Sequence, residues 1–180
     1  TAHRGLAFEQ ATFRQLGTQE LADQLVGVDF LKSQAYVDST RMGVYGWSFG
    51  GFMTTSLMLR HPGTFQVGVA GGPVIDWRYY EVMYTERYMD SPEQNPAGYE
   101  QADLLNYVGN LKGRLLIIHG LQDPVVVPQH SARLLRESIR KGVQLDYYPY
   151  TNHEHNVRGL EREHLNRKIE QYFADHLLGE

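Results

Sequence analysis

Gly46-Trp47-Ser48-Phe49-Gly50-Gly51 follows directly on the apolar run Met42-Gly43-Val44-Tyr45. Its G-x-S-x-G spacing is that of a nucleophile elbow, a strained strand-to-helix turn that exposes a serine hydroxyl. Glycine is needed on both sides because a Cβ there would strike the adjoining strand or helix. Roughly 0.07 chance matches are expected in a chain of this glycine and serine content, so context decides. A strand-like run precedes the motif, and Phe52 to His61 reads as a helix stopped by Pro62-Gly63. The alternative is a glycine-rich strand-to-helix turn whose serine only caps the helix. The chemistry offered is nucleophilic acyl transfer.

A serine attacks a carbonyl only with a base to take its proton and a carboxylate to orient that base, here in the order Ser, Asp or Glu, His. Arg114-Leu115-Leu116-Ile117-Ile118-His119-Gly120 is a nearly continuous apolar run, as a central parallel strand buried on both faces would be. Asp123 lies just past its end, where open α/β sheets place functional groups, and several residues too early to cap the helix that begins near Pro128. Thirty-two residues beyond Asp123, Thr151-Asn152-His153-Glu154-His155-Asn156-Val157 carries two histidines, and spacing leaves both open as the base. A His-x-His with no cysteine and no third ligand at a usual spacing gives no expectation of a metal. His3, His61, His130, His164 and His176 read as surface or helix-end residues, whereas His119, at a strand end, needs a buried partner.

The elements that must position these groups alternate helix and strand. A helix is expected over Thr18 to Lys32, capped by Thr18, with Leu21, Leu25, Val28 and Leu31 on one face. Strands are expected near Arg41–Trp47, Phe65–Gly71, Arg114–His119 and Gln144–Tyr150. A helix from Pro128 to Lys141 ends at Gly142, and a long final helix runs from Leu160 to Leu178 with Leu165, Ile169, Tyr172, Phe173 and Leu177 at helical spacing. Four strands in this alternation make a parallel sheet with right-handed crossovers, an α/β fold. Between Gly71 and Lys112 the alternation breaks into the aromatic-rich Asp76–Tyr84, a loop from Ser91 to Gly98 and a further short helix.

Composition sets bounds. At 180 residues and 42% hydrophobic content the chain buries one core and is too short for two ordinary domains. A net charge of −4 gives no basic field for nucleic acid, and zero cysteines exclude a thiol nucleophile and a disulfide framework. No apolar run is long enough to span a membrane.

These motifs carry a resemblance to the catalytic domain of the prolyl oligopeptidase family, nearest its dipeptidyl peptidase IV and prolyl tripeptidyl peptidase branch. Gly46–Gly51 resembles that branch's G-W-S-Y-G-G, with Phe49 in place of tyrosine, and Tyr84-Thr85-Glu86-Arg87-Tyr88-Met89 is similar to a segment particular to it. His119-Gly120 through Asp123 resembles the acid loop, and Thr151–Val157 aligns so that His155 takes the catalytic position. The resemblance runs from about Gly5 to the C-terminus. It implies a partial α/β-hydrolase fold, a Ser48–Asp123–His155 triad, an oxyanion donor at the Phe49 N–H, and no cofactor or metal. It further implies a proline slot lined by Val74, Trp77, Tyr80, Tyr84 and Val126, although an aromatic stripe in an arbitrary domain is more often core.

The implied substrates are peptides with proline or alanine near the N-terminus, cut to release di- or tripeptides. A carboxylesterase or acylaminoacyl peptidase of the same fold is the first alternative, and a non-catalytic interaction module the second. Val125 stands where dipeptidyl peptidase IV has an asparagine two residues after its acid, which leans toward tripeptide release. The strands expected before the nucleophile strand are missing and the chain starts abruptly at Thr1, so residues 1–180 read as one domain, the C-terminal part of a longer peptidase. A second oxyanion donor, amine-binding carboxylates and a propeller domain would then lie upstream, and the piece alone would be nearly inactive. An open nucleophile-strand edge points to homodimer formation. The resemblance suggests a periplasmic, cell-envelope or secreted location.

Overall fold

Two short strands rich in valine, leucine and isoleucine build the centre of the molecule. In a computed structural model that describes residues 3–179, every residue of β2 (Val67–Gly71) is buried, as is all of β3 (Arg114–Gly120) after its first residue. Thr1, Ala2 and Glu180 lie outside the described residues. Strands apolar on both faces are stable only when both faces are covered. β1 (Gly43–Trp47) and β4 (Asp146–Tyr150) flank them in the order β1-β2-β3-β4, all parallel, with Trp47 opposite Gly71, Gly71 opposite Ile118, and Gly120 opposite Tyr150.

Side chains alternate across the sheet with period two. Ala70, Leu115 and Ile117 face one core with Phe52, Leu57, Met58 and Leu134, whereas Val69, Leu116 and Ile118 face a second with Tyr150, Val157 and Leu165. The first core is roofed by α3 (Phe49–Arg60) and α6 (Gln129–Arg140), the second by α7 (Leu160–Phe173). Short helices α1 (Leu6–Glu9), α4 (Val82–Met89) and α5 (Pro96–Ala102) and the longer α2 (Gln19–Lys32) complete the shell.

The four strands stand where the sequence places them, within two residues at their starts. The differences elsewhere have local causes. α3 begins at Phe49 rather than Phe52, because the elbow enters the helix at once. α5 begins at Pro96, inside the segment expected to be loop: Asn95 caps it by accepting the Gly98 N–H at 3.2 Å, and proline suits the first helical turn. Thr18 holds the cap position of α2 without capping it; its Oγ1 accepts from Gln101 Nε2 at 3.0 Å, and Glu20 accepts the Gly17 N–H instead. Leu31 is 43% exposed, so the buried stripe of α2 is Leu21 and Val28, with Leu25 at its margin. The final helix gives way at Phe173 to a π-turn over Ala174–Leu178. α6 ends as expected, with Gly142 at φ +67° beyond Lys141. No helix among the described residues is long and apolar enough to cross a membrane.

Candidate active site

All of the chemistry-bearing groups stand at the C-terminal ends of neighbouring strands, the usual site of function in an open parallel sheet. Ser48 follows β1, Gly71 ends β2 and Gly72 follows it, Asp123 lies three residues past β3, and His155 five past β4.

Ser48 has φ 61° and ψ −119°, a conformation costly for a residue with a Cβ. The surroundings impose it. The Ser48 N–H donates to Gly71 O at 2.8 Å while its carbonyl accepts the Phe52 N–H at 3.0 Å, opening α3. A Cβ on Gly46 would lie 2.2 Å from Gly50 O, so the turn closes only with glycine there. Phe49, the first residue of α3, has a backbone N–H with no acceptor inside the helix.

Asp123 is 3% exposed and hydrogen-bonded on both oxygens. Oδ1 accepts the N–H groups of Val125 and Val126 at 2.8 and 2.9 Å, fixing the tight turn after β3. Oδ2 lies 2.7 Å from His155 Nδ1. Burial alone would push this carboxyl up, but bonds from His119, His155 and the two backbone N–H groups outweigh it and hold the pKa well below the usual carboxylate range. The group is therefore an anion facing an imidazole.

The geometry separates the two histidines. His153 Nε2 pairs with Glu161 on α7, away from Asp123, whereas His155 Nδ1 meets the carboxylate. His155 O also accepts from Trp47 Nε1 at 2.8 Å, which ties the histidine loop to the residue before Ser48. Gly71, which accepts the Ser48 N–H, is followed by Gly72, and a Cβ on Gly72 would sit 3.4 Å from His155 Cε1 and 3.7 Å from Asp123 Oδ2.

Beside these groups lies an aromatic wall. Trp77 is buried in a 3₁₀ turn (Trp77–Tyr79) and stacks on Tyr84 at 5.9 Å between centroids, with Tyr80 edge-on to Trp77 at 5.5 Å and to Tyr84 at 5.3 Å. Phe49 approaches Trp77 at 5.9 Å, which carries the wall to the elbow. Val74 and Val126 are buried in the same cluster. Burial pushes the Tyr80 and Tyr84 hydroxyls up, so both are neutral. Trp77, Tyr80 and Tyr84 are thus in mutual ring contact, whereas Val74 and Val126 are fully buried members of the main core.

Three contributors were not evident from the sequence. His130, expected on a surface, is 1% exposed; its Nδ1 accepts the Ile75 N–H at 3.1 Å, and burial pushes its pKa down to about 4. Asp76, also buried, accepts from Arg78 and from Arg133 at 2.8 Å each, and Arg78 pairs with Asp103 as well. This network staples the turn bearing Trp77 to α6. Charged residues more than fifty positions apart leave no sequence signal for such a pairing. Trp47, the third, is read in sequence only as a motif letter. Among the described residues no cluster of His, Cys, Asp or Glu suited to a metal is present.

Comparison with known proteins agrees with this architecture. The Prolyl oligopeptidase family profile matches residues 1–180. Mouse dipeptidyl peptidase 8 is 35% identical over 182 aligned residues, covering 98% of this chain. Among solved structures, a Bacteroides ovatus protein described as a candidate dipeptidyl aminopeptidase IV superposes with a TM-score of 0.95 at 57% identity over 97% of the chain. Porphyromonas gingivalis dipeptidyl peptidase 4 gives 0.93 at 34% identity over 97%. The chain spans 20% of the mouse relative and 25% of each of these solved chains. These likenesses make the sheet an α/β-hydrolase sheet, and the chain belongs to the prolyl oligopeptidase family.

Proposed function

We propose that this chain carries the acyl-transfer site of a serine exopeptidase that releases di- or tripeptides ending in proline or alanine. The observation that carries the reading is the 2.7 Å contact of His155 Nδ1 with the buried Asp123 carboxylate, beside an elbow serine held at φ 61°. Asp123 fixes the tautomer with hydrogen on Nδ1, which leaves Nε2 free to accept the Ser48 proton. Ser48 Oγ then attacks the peptide carbonyl, His155 returns the proton to the leaving amine, and water releases the acyl group by the same route. The Phe49 N–H donates to the developing oxyanion, aided by the N-terminal end of α3.

In this reading the slot formed by Val74, Trp77, Tyr80, Tyr84 and Val126 receives the residue on the acyl side of the cut bond. Flat, rigid rings suit a pyrrolidine, whose own ring has little conformational freedom to lose. Its presence favours a peptidase over a carboxylesterase or acylaminoacyl peptidase. Val125, 41% exposed, offers no amide to the substrate backbone, and this favours tripeptide over dipeptide release. No metal or cofactor enters the scheme.

The test is labelling and turnover of the intact protein. A fluorophosphonate should modify Ser48, and an Ala-Ala-Pro or Gly-Pro chromogenic amide should be cut faster than a simple ester. Labelling elsewhere, or faster ester cleavage, overturns the proposal. Homodimer formation belongs to the same proposal. α2 presents Val26, Phe30 and Leu31 to solvent, an apolar face of the kind that a second copy covers. Light scattering of a purely monomeric protein at micromolar concentration would count against it. A periplasmic, cell-envelope or secreted location, supported by family likeness alone, is tested by fractionation.

A further inference from the structure

His119 closes β3 with a fully buried imidazole that touches three segments at once. Nε2 lies 2.7 Å from Val126 O and 3.4 Å from Asp123 Oδ2, and Nδ1 lies 2.6 Å from Ser131 Oγ in the first turn of α6. A carbonyl and a carboxylate only accept, so Nε2 carries the hydrogen, bonds it to Val126 O and presents its positive N–H to Oδ2 at 3.4 Å, while the Ser131 hydroxyl donates to Nδ1. Asp123 Oδ2 is also the oxygen that faces His155, and Val126 is part of the pocket wall. A histidine needed only to fill the core would be satisfied by Ser131 and Val126. This one also leans on the oxygen that orients the base.

We propose that His119 is a positioning residue for acyl transfer, whose Nε2–H holds Asp123 Oδ2 and the Val126 carbonyl in a single frame. The inference rests on the triad reading and deepens it. The N–H dipole beside Oδ2 offsets part of its charge and limits how strongly Asp123 stabilises the His155 cation. It also binds the acid to the pocket wall, so the two move together. The groups around this centre are Asp123 and His155 on their loops, Tyr80 across the slot, and His130 on α6, with Asp76 and Arg133 behind it. Without the His119 donor, Oδ2 turns its full charge on His155, and the acid limb of the kcat/KM–pH profile moves to higher pH.

The experiment compares His119→Leu, His119→Gln, Ser131→Ala and Asp123→Asn in the intact protein with an Ala-Ala-Pro amide. Glutamine reaches the Nε2 position with an N–H and keeps the donor. His119→Leu should lower kcat roughly tenfold to a hundredfold and raise the acid limb, and His119→Gln should restore both to within about threefold of the parent. Ser131→Ala, which only loosens the ring, should shift the limb in the same direction by less. The inference is overturned if His119→Leu turns over at the parental rate, or if glutamine fails to rescue a folded protein. Should His119→Leu not fold, a lowered kcat and a raised acid limb in Ser131→Ala beside near-parental values in His119→Gln support the inference, and parental kcat with an unmoved limb in Ser131→Ala overturns it. Asp123→Asn with parental turnover would refute the triad reading itself, whereas an inactive Asp123→Asn beside a fully active His119→Leu would refute this inference alone.

Discussion

Gly120→Ala tests whether the acid and histidine loops must sit at their observed spacing. A Cβ on Gly120 would lie 2.0 Å from Glu154 O and 2.4 Å from His153 O, both backbone atoms that no side-chain rotation can clear. Retreat to an ordinary contact of 3.4 Å moves the histidine loop by about 1.4 Å. The same loop is held by Gln122 N–H on His153 O at 3.0 Å and by Trp47 Nε1 on His155 O, so the displacement strains both anchors. His155 then leaves the Asp123 carboxylate, and a misplacement of about 1 Å costs on the order of a hundredfold in rate. The assay is kcat on a proline amide, with near-ultraviolet circular dichroism to show that the variant is folded. A folded Gly120→Ala protein whose kcat stays within about threefold of the parent would refute the claim that this contact sets the triad.

His155→Ala should cost several orders of magnitude in turnover, whereas His153→Ala, which loses only its partner Glu161, should cost about tenfold or less; the reverse ranking would reassign the base. Tyr84→Ala should lower kcat/KM on proline substrates by about 1–3 kcal/mol while Ser48 still reacts with a small fluorophosphonate, and an unchanged proline preference would remove Tyr84 from the slot. His130 titrates near 4 in the fold against 6.5 unfolded, so below the unfolded value the open chain binds the extra proton and stability falls with pH. Urea denaturation should therefore show the parent losing about 2 kcal/mol more than His130→Asn between pH 7 and pH 5, and equal losses would contradict a buried neutral ring.

The sequence was most legible where chemistry and local geometry coincide. Gly46 encodes the elbow because the atom its Cβ would strike, Gly50 O, lies only four residues on; the expected need for glycine at Gly50 itself does not hold, since a Cβ there meets open space, and the second close approach is at Gly51, against Gly71 O. The apolar run Leu115–Ile118 reveals a central strand because burial on both faces leaves no polar position. The two histidines two residues apart could not be told apart by spacing, since the deciding partners, Asp123 and Glu161, come from opposite directions in the chain. His130 was misread for a related reason. It sits in the first turn of a polar-looking helix, and only the return of Ile75 and Asp76 beneath α6 buries it. The exposure of Leu31 is the converse case, an apolar position at the right spacing for the core on a helix whose buried stripe is only two residues wide.

The placement of Trp47 and Trp77 has a spectroscopic consequence. They are the only two tryptophans in the sequence, and each stands on one side of the candidate site. Trp77 is sealed among aromatic rings with its indole N–H unpartnered among the described residues, so its emission belongs at the blue end of the range. Trp47 is half-buried and hydrogen-bonded to the carbonyl of His155, so it emits further to the red and follows the histidine loop. Intrinsic fluorescence of this chain is therefore a two-colour view of its aromatic wall and of its histidine loop, without an attached dye.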